Sequence, residues 1–592
     1  MFYHLHLRFF RARRFLLISL FTCLSLAVVI SAGCLSRRYL SENGKFEAFS
    51  EKVFRNEVSG SSLNLHYSLA YPEKQGISPP PASLGTVNTS MEKTYKLCEK
   101  YEKKLKSFAY SRLSHENQIT LDMMLLYYHT VRSLDNNYLL QELLGPSLGI
   151  QAQLPVLLAE YAFYEKKDVT DYLKLLTTIR PHFESILDFE KARSQAGFFM
   201  SDTTLDRILE QCEAFIRDPD SNYMLDVFEK KLKDLGLSGK DIRKLCQAHK
   251  KLIINEVIPA YQELMNGLDT LRGTGRNDRG LYYFTGGREY YTYLLKSQVG
   301  TWIPVAQIEK RLSSQLTSDI SALRSLTREN PQLLTAISGE LKFKEQSPKT
   351  TMTFLQKKME KDFPPLKKIS WELRNVHDSM KDYLSPAFYL TPPLDTGSPN
   401  VIYINPASSG KGLSLFTTLA HEGFPGHLYQ SVYFGRQKPS HIRYLLDTSG
   451  FAEGWATYTE SFAYGYAADY IQEKNPRELA QLAWLNRSVN LCLYSLLDIE
   501  IHYRGWSPAQ AASFLKAFGI SDPAVVREIY QYIVETPANY LKYYWGYLSI
   551  LDLRTSQQKR LGDKFDLKDF HRKVLKLGGV QFPVLEKYIT QM

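Results

Sequence analysis

The stretch Leu413-Ser414-Leu415-Phe416-Thr417-Thr418-Leu419-Ala420-His421-Glu422-Gly423-Phe424-Pro425-Gly426-His427-Leu428-Tyr429 carries two histidines six residues apart, with a glutamate directly after the first. These are the parts a zinc hydrolase needs: imidazoles to hold the metal, and a carboxylate beside them to take a proton from water. In the common helical arrangement the histidines stand four residues apart, one turn along a single face. A six-residue step on an unbroken helix puts the second side chain about 120° off the first and roughly 9 Å along the axis. Two bonds of about 2 Å cannot reach one ion from there. The helix must therefore break. Proline has no ladder donor and glycine accepts backbone angles that other residues avoid, so His421 is expected to end one helix and His427 to start the next. On spacing alone the alternative stays open that these are ordinary helix-end residues around a Gly-Pro-Gly turn.

A second stretch favours the metal. Gly450 to Glu460, GFAEGWATYTE, has the apolar and aromatic texture of a buried helix, and Glu453 and Glu460, seven apart, share one face. Two acids on the buried side of a helix are costly unless they meet a cation or hydrogen-bond donors. A catalytic zinc with two histidine ligands needs a third, commonly a glutamate. Glu453 is the candidate ligand, and Glu460 a candidate acceptor for the far nitrogen of a ligand imidazole.

HEGFPGH, followed by EGWATYTE and a distal D-x-x-x-H-x-x-G-W, resembles a bacterial family catalogued as domain of unknown function 885, grouped with gluzincin-like zinc metallopeptidases. The resemblance runs from about Lys45 to the C-terminus and includes Gly286-Gly287-Arg288-Glu289-Tyr290, the Asn400 to Pro406 strand, Asp498 with His502, and Tyr543 to Gly546. It implies a mainly α fold: a large multi-helix body with a deep cleft and a small β-sheet beside the metal helix. It also implies peptidase activity on a peptide substrate, and names no substrate. Asp498 and His502 lie one helical turn apart, so the acid can orient the imidazole; a lone helical histidine can equally be a satisfied core or surface residue, and the resemblance is what implies a role for His502 as transition-state donor or substrate binder. Tyr543 matches the family's Y-x-x-G, and its phenol can donate to the oxyanion of a tetrahedral intermediate. Val401 to Pro406 alternates as a strand after the turn Asp395 to Asn400. In gluzincin-like enzymes a strand there offers a free edge to the substrate backbone; from the sequence alone a purely structural hairpin stays open.

The set of expectations is then zinc-assisted amide hydrolysis. His421, His427 and Glu453 hold one Zn²⁺, Glu422 is the general base, and Tyr543 or His502 steadies the oxyanion, with Glu460 and Asp498 behind them. A binding lipoprotein without turnover, and a zinc hydrolase of a non-peptide or cell-wall amide, are the alternatives.

Residues 1–40 read as a leader rather than part of the fold. Arg8, Arg11, Arg13 and Arg14 form a basic region, and Phe15 to Gly33 is an apolar run nearly long enough to span a bilayer. Ile30-Ser31-Ala32-Gly33-Cys34 resembles a bacterial lipoprotein signal in which Cys34 is lipidated; Ser31 is atypical of it, so an uncleaved anchor stays open. Either way the large C-terminal part lies outside the cytoplasm, tied to the membrane through lipid or anchor helix. Of the formal +11, six charges belong to the arginines of residues 1–40, leaving +5 for the rest. That gives little ground for nucleic-acid binding. Six cysteines without close paired spacing give no sign of a disulfide framework or thiolate zinc site.

Residues 41–90 form an N-terminal segment with a Pro-rich stretch, Gly76 to Ser83, read as an extended linker or surface crossing. Residues 91–592 form the helical metallopeptidase-like domain, with the metal site at 413–460. Within it, Met91 to about Thr270 is helical by periodicity and is expected to make one wall of the cleft. Gly286 and Gly287 before Arg288 suggest a turn into a helix. The oligomeric state is not readable.

Overall fold

The computed structural model describes residues 41–591 apart from 276, 335–340, 377–380 and 382–384. The expectations for residues 1–40, Cys34 among them, lie outside the described residues. Among the described residues no helix is long and apolar enough to cross a membrane. Cys98, Cys212, Cys246 and Cys492 are free thiols, all but Cys246 buried.

The fold is mainly helical, with one small sheet. Helix α1 (Glu42–Val58) starts at Ser41, whose hydroxyl accepts from the Gly44 amide, and it buries Phe46, Val53 and Phe54 in the largest apolar core. The segment before residue 91 is therefore packed against the body. Its Pro-rich stretch crosses the surface, and just after it the amides of Leu84 and Val87 donate to the hydroxyls of Thr178 and Ser185.

Residues 91–270 are helical as the periodicity predicts, but they do not make a single wall. The helix His115–Arg132 buries Ile119, Leu121 and Met124 in the largest core. Residues 144–268, including α2 (Ile150–Glu160) and α3 (Tyr223–Asp234), close round a second core of Phe183, Phe228 and Tyr261. Periodicity shows which face of a helix is buried and leaves open which partner buries it.

The sheet has three strands, β1 (Trp371–Asn375), β2 (Ala387–Leu390) and β3 (Asn400–Ile404), in the order β1-β3-β2. β1 runs parallel to β3 and β2 antiparallel to it, with Tyr389 opposite Ile402. Alternation divides β3. Ile402 and Ile404 face the main core with Phe416 and Leu419, whereas Val401 and Tyr403 cluster with Phe388 and Leu390 on the outer face. The Asn400 to Pro406 stretch is thus a strand, but it is the central one. β1 flanks it on one side and β2 on the other, so its backbone has no free edge. The edges belong to β1 and β2.

Five helices then build the floor: α4 (Gly412–Glu422), α5 (His427–Gly435), α6 (Ser449–Ala467), α7 (Pro476–Ile499) and α8 (Asn539–Leu561). α6 is buried nearly all round, with Trp455, Tyr458 and Thr459 inaccessible. α7 and α8 share a buried polar anchor, in which Ser488 and Tyr544 both donate to Asp319 Oδ2 at 2.7 and 3.2 Å. Their neighbours in sequence, Arg487 and Tyr543, are thereby fixed beside the histidines.

Candidate metal centre

The break falls where the glycines and proline place it: α4 ends at Glu422 and α5 begins at His427. The Gly426 amide donates to the Ala420 carbonyl at 3.0 Å, and a methyl on Gly426 would stand 1.7 Å from the His421 carbonyl oxygen. Only a residue without a side chain lets the two helix ends approach so closely. From α6, Trp455 Nε1 donates to the Pro425 carbonyl at 3.0 Å and pins the connection. As a result the two imidazole rings lie 4.7 Å apart at 87° to each other.

Glu453 reaches the same point from α6. Its Oε2 lies 3.3 Å from His421 Nε2 and 3.6 Å from His427 Nε2, and one ligand atom from each of the three residues lies within 4.8 Å of the others. Tetrahedral bonds of about 2.0–2.1 Å to one ion would hold neighbouring ligand atoms about 3.3 Å apart. The donor set therefore fits a single divalent cation. His421, His427 and Glu453 are each only partly exposed, at 12, 18 and 24 % of their side chains.

The hydrogen bonding makes the same demand. Glu460 Oε1 lies 2.7 Å from His421 Nδ1, which fixes the proton on that nitrogen and leaves a lone pair on Nε2. That lone pair faces Glu453 Oε2, which is itself buried without a hydrogen bond. Two acceptors aimed at each other are tolerable only around a shared positive charge. Without a metal a proton has to serve. Burial alone would lower His421, but Glu453 and Glu460 hold it well above the ordinary histidine range. Burial alone would raise Glu453, and the two imidazoles instead hold it far below the ordinary carboxylate range. Glu460 is balanced behind the site by Arg487, whose Nε stands 3.3 Å from Oε2.

Glu422 sits beside His421 and accepts a 2.9 Å hydrogen bond from the Tyr389 amide. That amide points away from β3, so β2 presents its free edge to the base. Tyr543 enters from α8 with its ring 6.3 Å from that of His421 and nearly parallel to it. Burial, then Glu453, raise its phenol above the usual range, so it is a hydrogen-bond donor at neutral pH.

Two expected residues stand elsewhere. His502 is fully buried: Nδ1 accepts from the Leu281 amide at 3.1 Å, and Nε2 donates to the Ile533 carbonyl at 2.8 Å. Both ring nitrogens are used by backbone, so His502 is a core residue and not a transition-state donor. Asp498 is not its partner either. Asp498 Oδ1 accepts from Tyr291 Oη at 2.6 Å and from the Ala538 amide at 3.0 Å, the latter at the start of α8. The α-helix relaxes into a wider turn over Glu500–Arg504, which displaces His502 from the one-turn relation the spacing implies. Arg288 begins a helix, as the glycines predict, and donates to the Tyr503 carbonyl.

Sequence reasoning missed three neighbours. Asp447 is exposed just before α6, with His427 and Glu453 the charges beside its carboxyl. Lys542 lies between Glu453 and Asp498 in the electrostatics of the site, burial lowering it against their pull. The Tyr389 amide is backbone and leaves no mark in side-chain pattern.

Comparison with known proteins agrees with this architecture. The profile of a family described as bacterial protein of unknown function (DUF885) matches residues 86–589. A candidate lipoprotein from Colwellia psychrerythraea, known from its crystal structure, superposes with a TM-score of 0.80 at 18% identity, covering 93% of this chain and 99% of that one. A candidate lipoprotein of unknown function from Shewanella oneidensis gives 0.61 at 17% identity, covering 91% and 99%. No curated protein matches the chain.

Proposed function

We propose that this chain, which belongs to the DUF885 family of bacterial proteins, is an extracytoplasmic, membrane-anchored zinc peptidase of gluzincin-like type. The observation that carries the reading is the meeting of His421 Nε2, His427 Nε2 and Glu453 Oε2 at one point, with the Glu422 carboxylate beside it. The leader with Cys34, and the description of both structural neighbours as candidate lipoproteins, support the location.

His421, His427 and Glu453 would hold Zn²⁺, which supplies Lewis acidity towards water and a peptide carbonyl. Glu460 keeps the His421 proton on Nδ1, so Nε2 stays a donor of electron pairs. A peptide laid along the β2 edge meets the Tyr389 carbonyl, which faces the same side as its amide. A peptide so bound would carry its scissile carbonyl over the histidines. Glu422 takes the proton of the attacking water on a carboxylate oxygen and returns it to the leaving amine. The Tyr543 hydroxyl donates to the oxygen that becomes negative.

The test is metal analysis of the full chain together with cleavage of a peptide library by wild type and Glu422→Gln. One zinc per chain in both proteins, with cleavage lowered by about 10²–10⁴ in the variant, supports the peptidase. Zinc with no cleavage in either protein supports a peptide-binding lipoprotein or a hydrolase of another amide. A chain that binds no divalent ion ends the reading.

A further inference from the structure

A cavity of about 660 Å³ lies between the outer face of the sheet and the second helical core, and none of its lining belongs to the histidine cluster. Leu390, Val401 and Tyr403 line it from the sheet, and Phe163, Val227 and Lys231 from the helical side. Its size is that of a ligand site rather than a packing defect.

Aromatic and apolar side chains, Tyr67, Phe163, Tyr164 and Val401 among them, form much of its wall. The Lys231 ammonium reaches in, but it donates to the carbonyls of Leu158, Ala159 and Tyr161 at 3.3, 3.0 and 2.9 Å, closing the C-terminal end of α2. Burial lowers the Lys231 ammonium to about 7, and its protons are taken up by backbone carbonyls. His66, stacked on Tyr161 at 3.6 Å, is lowered to about 3 by burial and is uncharged at neutral pH. The Tyr403 phenol lies close to both Glu160 of α2 and Arg374 of β1, burial and Glu160 raising it above its usual range. Of the other charged residues of the lining, Arg374 pairs with Glu372, and Lys230 and Asp234 are exposed.

The cavity continues the edge that faces the base. Tyr389, whose amide is on Glu422, is followed directly by Leu390, Thr391, Pro392 and Pro393, all of them cavity lining. At about 3.3 Å per residue they span roughly 3–13 Å beyond Tyr389. A strand added antiparallel to β2 runs its N-terminal residues in that direction. Its side chains alternate, and those on the outer face of the sheet point into the cavity.

We infer that this cavity is a specificity pocket for bulky apolar or aromatic side chains of a polypeptide laid along β2, roughly two to four residues on the N-terminal side of the bond facing Glu422. The assignment to a substrate rests on the peptidase reading; the binding of an extended peptide does not. The ligand class is an unfolded or extended segment rather than a dipeptide.

Val227→Trp on α3 fills the cavity from one wall, and Thr396→Trp fills it from the other, on a different element. Binding of a fluorescein-labelled decapeptide with phenylalanine at alternate positions is followed by anisotropy in the zinc-loaded full chain. Cleavage of a decapeptide library is read in parallel by mass spectrometry. The expected result is binding weakened at least tenfold in both variants, with upstream preference moving from aromatic to small residues. Peptides with one residue upstream of the cut are cleaved within twofold of wild type. Equal binding in all three proteins, or no binding to wild type, overturns the pocket and leaves the peptidase reading standing. Cavity-dependent binding without any cleavage keeps the pocket and removes the peptidase.

Discussion

Gly454 of α6 and Gly546 of α8 meet backbone to backbone: a methyl on Gly454 would stand 2.4 Å from the Gly546 carbonyl carbon, and one on Gly546 would stand 2.7 Å from the Gly454 Cα. Gly454 follows the ligand Glu453, and Gly546 lies one helical turn beyond Tyr543 and Lys542. The crossing therefore sets how far the phenol and ammonium stand from the carboxylate. It also explains why small residues sit inside two long buried helices where they carry a propensity penalty.

Gly454→Ala should push these helices apart. The expected cost is about 1–3 kcal/mol of stability from overpacking, together with weaker zinc binding as Glu453 moves off the two imidazoles. Denaturation midpoints and zinc titrations on wild type and variant check it. A variant with unchanged stability and affinity would show that the crossing has slack.

Glu460→Gln tests the proton placement on His421. The amide keeps the shape and an acceptor oxygen, but loses the charge that pairs with both His421 and Arg487. Zinc affinity should fall about 10–100-fold, and further for Glu453→Gln, which removes a ligand atom. Competition with a chelator at pH 7 measures both, and equal affinities for wild type and Glu460→Gln would count against the assigned role.

What the sequence made legible was local. Gly423, Pro425 and Gly426 state a helix break in their own backbone chemistry, and the seven-residue step from Glu453 to Glu460 states a shared face; both appear as read. What failed depended on partners distant in the chain. The strand at Val401 alternates correctly, but its place at the centre of the sheet is set by β1 and by the four-residue β2. β2 is short and lies close before the turns around Pro393 and Pro399, so it has no pattern of its own. The Asp498 to His502 spacing is that of a helical pair. It misled because the last turn widens, and because Tyr291 and Ala538 claim the acid.

His502→Ala separates a core role from a catalytic one. The change strands the Leu281 amide and the Ile533 carbonyl in the interior, at about 1–3 kcal/mol for each group. Stability should fall by that order. Zinc content, and any peptide cleavage per folded molecule, should stay within twofold of wild type. A stable variant with lost turnover would return His502 to the reaction.

Acid should unfold the protein through histidines that are buried uncharged. His571 donates from Nδ1 to the Asp362 carbonyl and accepts at Nε2 from Tyr458, each at 2.8 Å. A second proton would set a donor against the Tyr458 hydroxyl, which already takes a hydrogen bond from Arg554. Burial first, with Arg554 adding to it, lowers His571 to about 3. In the unfolded chain the same group titrates near 6.5. Between those values the unfolded state binds a proton that the folded state refuses, so stability falls as pH drops below about 6.5, by up to about 1.4 kcal/mol per pH unit. His66 and His249, each lowered to about 3 by burial, act in the same direction. Asp498, Glu190 and Glu500, each raised to about 7 by burial, act against them, because their folded forms take up a proton before the unfolded ones. The comparison is therefore between wild type and His571→Gln, both in chelator so that metal release cancels. The variant should be less stable at pH 7.5, having lost two hydrogen bonds, yet lose about 2 kcal/mol less than wild type between pH 6.5 and 5. Denaturant titrations across that range supply the slopes, and parallel slopes would mean that His571 is already protonated in the fold.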